Sequence, residues 1–230
     1  MQEAVERRAI PTLSLYSEGV SSMKLKLLDD YIYPGKVLDV GCGNGLYGLH
    51  LQGKGSDLLQ IDLADRRDKR ANQLQFCMMD AQNINFEDNA FDHVIAFDVM
   101  EHLDDDVKFL KNIRRICSSR LFLSVPNSDD EQVLKMGLTH IHHKDKTHRR
   151  EYSKDQLVSL LTGCGFSVLC TRPNYNTKLP NFALAMMTSG IISKIAAKLL
   201  FAQSKALIKM GLFENRTIGD WYCVAQPAKI

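Results

Sequence analysis

Val37-Leu38-Asp39-Val40-Gly41-Cys42-Gly43-Asn44-Gly45 carries an apolar strand straight into a loop with glycine at every second position. Residues 37–40 read as a buried parallel strand. Gly41, Gly43 and Gly45 permit a sharp turn at positive φ and a close backbone approach to a ligand, because no Cβ stands in the way. Leu46 to Leu51 then reads as the start of a helix whose free N–H groups face the same ligand. A loop of this kind cradles a nucleotide cofactor between the first strand and first helix of an α/β sheet.

The rest of the chain supports such a sheet. Apolar runs of strand length alternate with helical patterns, the signature of βαβ units. Strands are expected near 36–40, 57–61, 74–79, 92–97 and 120–125, and helices near 20–32, 46–53, 64–71, 104–117 and 153–163. Gly165-Phe166-Ser167-Val168-Leu169-Cys170 reads as a sixth strand, and Asp220 to Ala225, with the chain's single Trp, as a seventh. About fifty residues separate these two, far beyond a hairpin loop.

That connection includes Phe182 to Phe213, apolar but punctuated by lysines. At 100° per residue, Lys194, Lys198, Lys205 and Lys209 fall within roughly a 60° arc of one helix. Ile192, Ala196, Leu199, Ala206, Leu207 and Met210 lie on the other side, while Ile191, Phe201 and Ile208 interrupt the pattern. Two readings stay open: a lid packed over the domain, or a basic amphipathic helix over 183–212 in peripheral contact with an anionic inner membrane surface.

A formal charge of +2 on 230 residues gives no broad basic footprint, which argues against DNA as a partner. The first residues lack the basic-then-apolar pattern of a signal peptide, so the expected location is cytoplasmic. Six scattered cysteines without a Cys-x-x-Cys pair read as reduced, packed thiols.

The acids select the cofactor. Gly43-Asn44-Gly45-Leu46-Tyr47-Gly48 fits the dinucleotide pattern, with Asp62 where a ribose-binding acid would stand. In the dinucleotide fold, however, the first glycine follows the strand directly, and here that glycine is Gly41. Asp39 in the strand would repel a pyrophosphate and attract an ammonium group. S-adenosylmethionine carries an ammonium and a sulfonium and has no phosphate, so these acids favour it over NAD.

Asp39-Val40-Gly41-Cys42-Gly43-Asn44-Gly45 resembles the first motif of class I S-adenosylmethionine-dependent methyltransferases. The resemblance continues through Asp62 at the end of strand two, Asp80-Ala81 after strand three, and Phe91 to Leu103 around strand four, which includes Phe97. It extends to Leu121 to Asn127 in strand five and Gly165 to Val168 in strand six. It implies that Asp62 bonds the ribose hydroxyls, that Asp80 accepts from the adenine amine, and that Asp39, Gly41, Gly43, Gly45, Ala81 and Phe97 complete the cofactor site. It also implies a Rossmann-like seven-stranded sheet with an antiparallel seventh strand, helices on both faces and a helical insertion between strands six and seven. The whole of 1–230 is then one domain. Its parts are an N-terminal helical cover (1–34, with Tyr16), a cofactor-binding core (36–173), an insertion or lid (174–215) and the final strand (216–230).

Around strand four the wording is similar to ubiquinone-pathway O-methyltransferases and small-RNA 2′-O-methyltransferases. Asp98, Glu101 and His102 stand at the strand end, and His148 in Thr147-His148-Arg149-Arg150-Glu151-Tyr152-Ser153 matches the segment that supplies a distant histidine there. The resemblance implies a divalent-metal site of Asp98, Glu101, His102 and His148, with Asp98 one methylene shorter than the family's Glu. Two carboxylates and two imidazoles suit Mg, Mn or Zn. The alternative is that Glu101-His102 simply opens a helix. His140, His142, His143, Lys144, Lys146, Arg149 and Arg150 form a charged stretch beside it, suggesting an anionic or sugar-like acceptor. His148, with an imidazole that titrates near neutrality, and Asp98 are the catalytic candidates.

The expected activity is methyl transfer from S-adenosylmethionine to oxygen on a small molecule, sugar or lipid-linked glycan. RNA 2′-O-methylation, a non-catalytic methyltransferase-like binding subunit and an NAD-dependent oxidoreductase are the alternatives.

Overall fold

The computed structural model describes residues 20–128, 147–177, Ala206, Met210 and 216–229. In chain order the elements are α1 (Ser22–Tyr31), β1 (Lys36–Val40), α2 (Leu46–Gln52), β2 (Asp57–Asp62), β3 (Gln75–Met78), β4 (Phe91–Phe97) and α3 (Asp106–Ile116). They continue with β5 (Cys117–Pro126), α4 (Lys154–Gly163), β6 (Phe166–Thr177) and β7 (Arg216–Pro227). One seven-stranded sheet runs β3-β2-β1-β4-β5-β7-β6. The strands from β1 to β5 pair in parallel, and β7 is antiparallel to both β5 and β6. This is the expected Rossmann-like sheet.

Both faces are covered, which is why the central strands are largely apolar on both sides rather than strictly alternating. Leu38, Val40, Val94, Ala96, Leu121 and Leu123 pack toward α3 and α4, against Phe109, Leu110, Ile113, Leu157 and Leu161. Val37, Leu58, Ile95, Phe122 and Val224 point the other way, toward Leu25, Leu27 and Leu28 of α1 and Leu46, Leu49 and Leu51 of α2. The period of two puts Asp39, Gln60 and Ser124 on that second face as well. A buried polar seam therefore runs beneath α1 and α2.

Local chemistry sets the helix ends. The Asp105 side chain accepts from the Lys108 N–H, Asp106 lies in the first turn of α3, and Arg114 and Arg115 lie in its last. Ser153 and Gln156 form a reciprocal capping box on α4. The expected helix over 64–71 is replaced by a loop and a short 3-10 turn, Lys69–Gln73. Arg67 explains the difference. Its guanidinium clamps Asp65 (Nε–Oδ1 2.9 Å), donates to the carbonyls of Ala71 and Leu74, and stacks over Phe76. Those bonds replace a helical ladder.

Strands β6 and β7 are longer than the apolar pattern indicates, pairing out to Thr177 and Arg216. The intervening segment is correspondingly shorter, 178–215. Apart from Ala206 and Met210, the amphipathic insertion lies outside the described residues, as do the segment up to residue 19 with Tyr16, and His140, His142, His143, Lys144 and Lys146. Among the described residues no helix is long and apolar enough to cross a membrane. Asn127, just past β5, is a junction. It donates to the carbonyls of Gly219 and Ile218, accepts from Trp221 Nε1 at 2.7 Å, and bridges in parallel to Tyr152.

Candidate active site

The glycine loop crosses the carboxyl end of β1 with φ of 63° at Gly41, 53° at Gly43 and 73° at Gly45. The N–H groups of Gly41 and Cys42 both reach the Ile61 carbonyl, tying the loop to the end of β2. The Gly43 N–H donates to Asp62 Oδ2 at 3.0 Å. A Cβ on Gly41 would stand 2.5 Å from Val99 Cγ2, so that glycine lets β1 and the post-β4 loop close together. A Cβ on Gly43 would meet nothing within 4 Å. Gly43 therefore presents bare backbone to open space, the cradle that a ligand approaching the main chain needs.

Beneath the loop, Gln60 joins two of its ends. Its Nε2 donates to Asp39 Oδ2 at 3.0 Å and to the Gly45 carbonyl at 3.1 Å. Asp39 is buried, and burial, with the Asp62 charge adding to it, pushes its carboxyl up to about 7 despite the Gln60 bond. The structure thus sets Asp39 under the loop rather than on the cleft surface. A Cβ on Gly48 would overlap Leu58 Cδ2 and stand 2.5 Å from Gln60 Nε2, so its role in the alternative glycine frame is close helix–sheet contact.

A cleft of about 490 Å³ opens above the loop at the carboxyl ends of β1, β2 and β4. Of the expected cofactor residues, Gly41, Asp62, Asp80 and Ala81 line it, and so do Asp98 and His102. Asp80 caps a one-turn 3-10 segment, accepting from the Gln82 N–H at 2.9 Å and from Asn83 Nδ2 at 3.2 Å. Phe97 does not line the cleft; it lies edge-on to Tyr47, 5.1 Å between ring centroids. Leu63, Arg66, Met79, Val99, Leu103 and Thr147 complete the wall. Of these, Leu63 carries a signal: a strongly exposed apolar side chain beside an acid.

Asp98 is the only non-glycine residue besides Asn89 with positive φ among those described, at 55°. Its N–H bonds the Ser124 carbonyl and hydroxyl oxygens, Ser124 Oγ donates back to Oδ1 at 2.6 Å, and Lys24 of α1 holds Oδ2. Enclosure by the protein raises the Asp98 carboxyl, but the Lys24 ammonium and the Ser124 hydroxyl outweigh it and hold it below its ordinary value. Lys24 is the functional residue that sequence reasoning misses. Its partner lies 74 positions away.

Glu101, His102 and His148 converge, each offering a ligand atom within 4.8 Å of the others. Asp98 is outside this group. Glu101 is buried, its Oε2 has no hydrogen-bond partner, and burial pushes its carboxyl up to about 8. The imidazoles of His102 and His148 lie 4.7 Å apart at 70°, and His102 Nδ1 is engaged by Thr147 Oγ1 at 3.0 Å. That leaves His102 Nε2 for a ligand, with its ring orientation fixed by the partner on the other nitrogen. His148 reaches this spot through a clamp. The Arg149 N–H donates to the Glu101 carbonyl at 2.8 Å. Arg150 bonds Asp106 at 2.9 Å and the Asp104 carbonyl at 2.8 Å, and Tyr152 Oη donates to Asp106 at 3.0 Å.

Residues 13–171 match the model of a methyltransferase domain family. Ajmaline N-methyltransferase of Rauvolfia serpentina is 28% identical over 156 residues, 62% of this chain and 49% of that protein. Ubiquinone biosynthesis O-methyltransferase of Rickettsia typhi is 31% identical over 101 residues, 39% of each. The matched stretch spans under half the length of either relative. The fold superposes with a TM-score of 0.60 on a SAM-dependent methyltransferase from Archaeoglobus fulgidus, 20% identical, covering 94% of this chain and 99% of that one.

Proposed function

Because the chain belongs to the methyltransferase domain family, we propose that it transfers the methyl group of S-adenosylmethionine to oxygen on a small molecule, a sugar or a lipid-linked glycan. One observation carries this reading: His102 lines the cleft that holds Gly41, Asp62 and Asp80, and it also belongs to the Glu101–His102–His148 group. Cofactor cradle and proton-handling groups thus share one mouth.

The residues present fit the cofactor. Gly43 offers unobstructed backbone, Asp62 and Asp80 offer acceptors for ribose and adenine, and neither a basic side chain nor a free pyrophosphate cradle is needed. When bound, S-adenosylmethionine supplies a methyl group already activated by its sulfonium. The chain's task is to orient the acceptor in line, exclude water and remove a proton. His148 takes the acceptor hydroxyl proton, while Asp98, with both oxygens already accepting from Lys24 and Ser124, shapes the charge of the wall.

As the alternative to His148 acting as the base, Glu101, His102 and His148 fit a divalent cation such as Mg, Mn or Zn, since Glu101 Oε2 is a buried acceptor without a partner. Such an ion lowers an acceptor hydroxyl's pKa when bound. Radiolabelled methyl transfer into a fractionated cell extract tests the reading. Label in small-molecule, glycan or lipid fractions supports it, and label confined to protein or RNA overturns it. Unchanged transfer after stripping with chelator removes the cation.

A further inference from the structure

Helix α1 carries a lysine on its core face. Lys24 is buried with Leu25, Leu27 and Leu28, and its side chain is 7% exposed. An ammonium in that position is costly unless a counter-charge meets it. The counter-charge is Asp98, whose side chain is 53% exposed and lines the cofactor cleft. The Phe97 and Tyr222 rings lie 5.2 and 5.5 Å from the ammonium, and their faces add to its attraction. Ser21, at the head of α1, receives the hydroxyl oxygen of Tyr47 on its N–H at 3.0 Å and contacts Tyr222 Oη at 3.3 Å, so the helix is pinned where the lysine enters. The Asp98 backbone is held in the left-handed region by two bonds to Ser124. A fixed cation therefore sits on the protein side of a carboxylate whose other side is the cleft.

We propose that Lys24 is a positioning residue that masks the charge of Asp98, so that the cleft favours the cationic sulfonium of S-adenosylmethionine little over the neutral thioether of S-adenosylhomocysteine. This rests on the cofactor reading above. A bare carboxylate in a partly enclosed wall attracts a cation several times more strongly than it would in water. Methyl transfer removes the charge from the sulfur, and an unmasked Asp98 would turn that loss into a difference between substrate and product. Paired with Lys24, the Asp98 side of the cleft is close to neutral toward both. Without Asp98, the lysine would face the cleft as an uncompensated cation, and the preference would reverse.

Calorimetric titration of both ligands into wild type, Lys24→Met, Lys24→Arg and Asp98→Asn tests this without any methyl acceptor. Lys24→Met is expected to shift the affinity ratio toward S-adenosylmethionine by about threefold or more, and Asp98→Asn toward S-adenosylhomocysteine by a similar factor. Lys24→Arg keeps the charge and should stay within about twofold of wild type. Equal weakening of both ligands in the two neutralised variants would reduce Lys24 to a packing role and overturn the proposal, as would shifts of the same sign. Should Lys24→Met not fold, the wild-type affinity ratio decides: a value within about threefold of unity is expected, and a preference for S-adenosylmethionine of about tenfold or more overturns the proposal. Wild-type protein that binds neither ligand would overturn the cofactor reading itself.

Discussion

The two walls of the cleft are assembled from different distances along the chain. On the β1–β3 side, each polar group is held by a near neighbour. Gly43 is nineteen residues from Asp62, Gln60 is 21 from Asp39, and Asp80 caps its own turn. On the β4 side, the holding group is remote. Asp98 depends on Lys24, 74 residues before it, and His102 on Thr147, 45 residues after it. His148 arrives only because Arg150 and Tyr152 grip Asp106. The first wall is a self-contained unit of the consecutive strands β1 to β3; the second is a junction of α1, the end of β4, Ser124 of β5 and the 147–152 segment, which must all fold around it.

Substitutions can break this comparison. Gly43→Val should have the largest effect: a β-branched residue at φ 53° projects into open space beside the cleft, weakening S-adenosylmethionine by about a hundredfold or more in calorimetry, at only about 1–2 kcal/mol in stability. Affinity within threefold of wild type would mean that the backbone of Gly43 does not face the cofactor. Gly41→Ala serves as the contrast, because its Cβ would meet Val99 at 2.5 Å and should lower the melting temperature as well.

On the opposite wall, Arg150→Met should slow methyl transfer by about tenfold or more through misplacement of His148, while leaving cofactor affinity within about twofold. Loss of cofactor binding in that variant would show that the walls are not independent.

A pH series sharpens the same contrast through stability. Asp39 is raised to about 7 in the fold from 3.8, so its contribution is fully present below pH 3.8 and is lost as pH rises through 7. Thermal melts should show stability draining across that window. Asp39→Asn, which keeps an acceptor for Gln60, should reduce the slope and leave the part due to Glu101, raised to about 8; an unchanged slope would mean that Asp39 contributes nothing to it. The smallest effect is expected from Ser153→Ala, which removes one arm of the capping box on α4. It should cost about 1 kcal/mol, or roughly 2–4 °C, with cofactor affinity unchanged.

The near-neighbour wall was also the legible one. A strand, three alternating glycines and two acids at strand ends are local patterns, and Gly41, Asp62, Asp80 and Ala81 all line the cleft. The strand positions followed for the same reason, since each central strand is buried on both faces. Local patterns misled where side chains substitute for backbone bonds, as at Arg67 in place of a helix over 64–71. They also stopped short where β6 and β7 support one another beyond their apolar runs. Lys24 had no local signal at all, because a lysine in an amphipathic helix reads as solvated until the strand-end acid it meets is known. The neighbours of Asp98 in sequence place it with the metal-site candidates, yet its pairing with Lys24 separates it from Glu101, His102 and His148.

Trp221 gives the junction at Asn127 an optical consequence. It is the only tryptophan in the chain, nearly buried, and its indole N–H is bonded to the residue that links β5, β7 and Tyr152. Indole emission responds to polarity and to hydrogen bonding at that nitrogen. The protein thus carries a single indole fluorophore at the seam where the segment bearing His148 joins the sheet, and its spectrum, excited on the red side of tyrosine absorption, reads the state of that seam without any label.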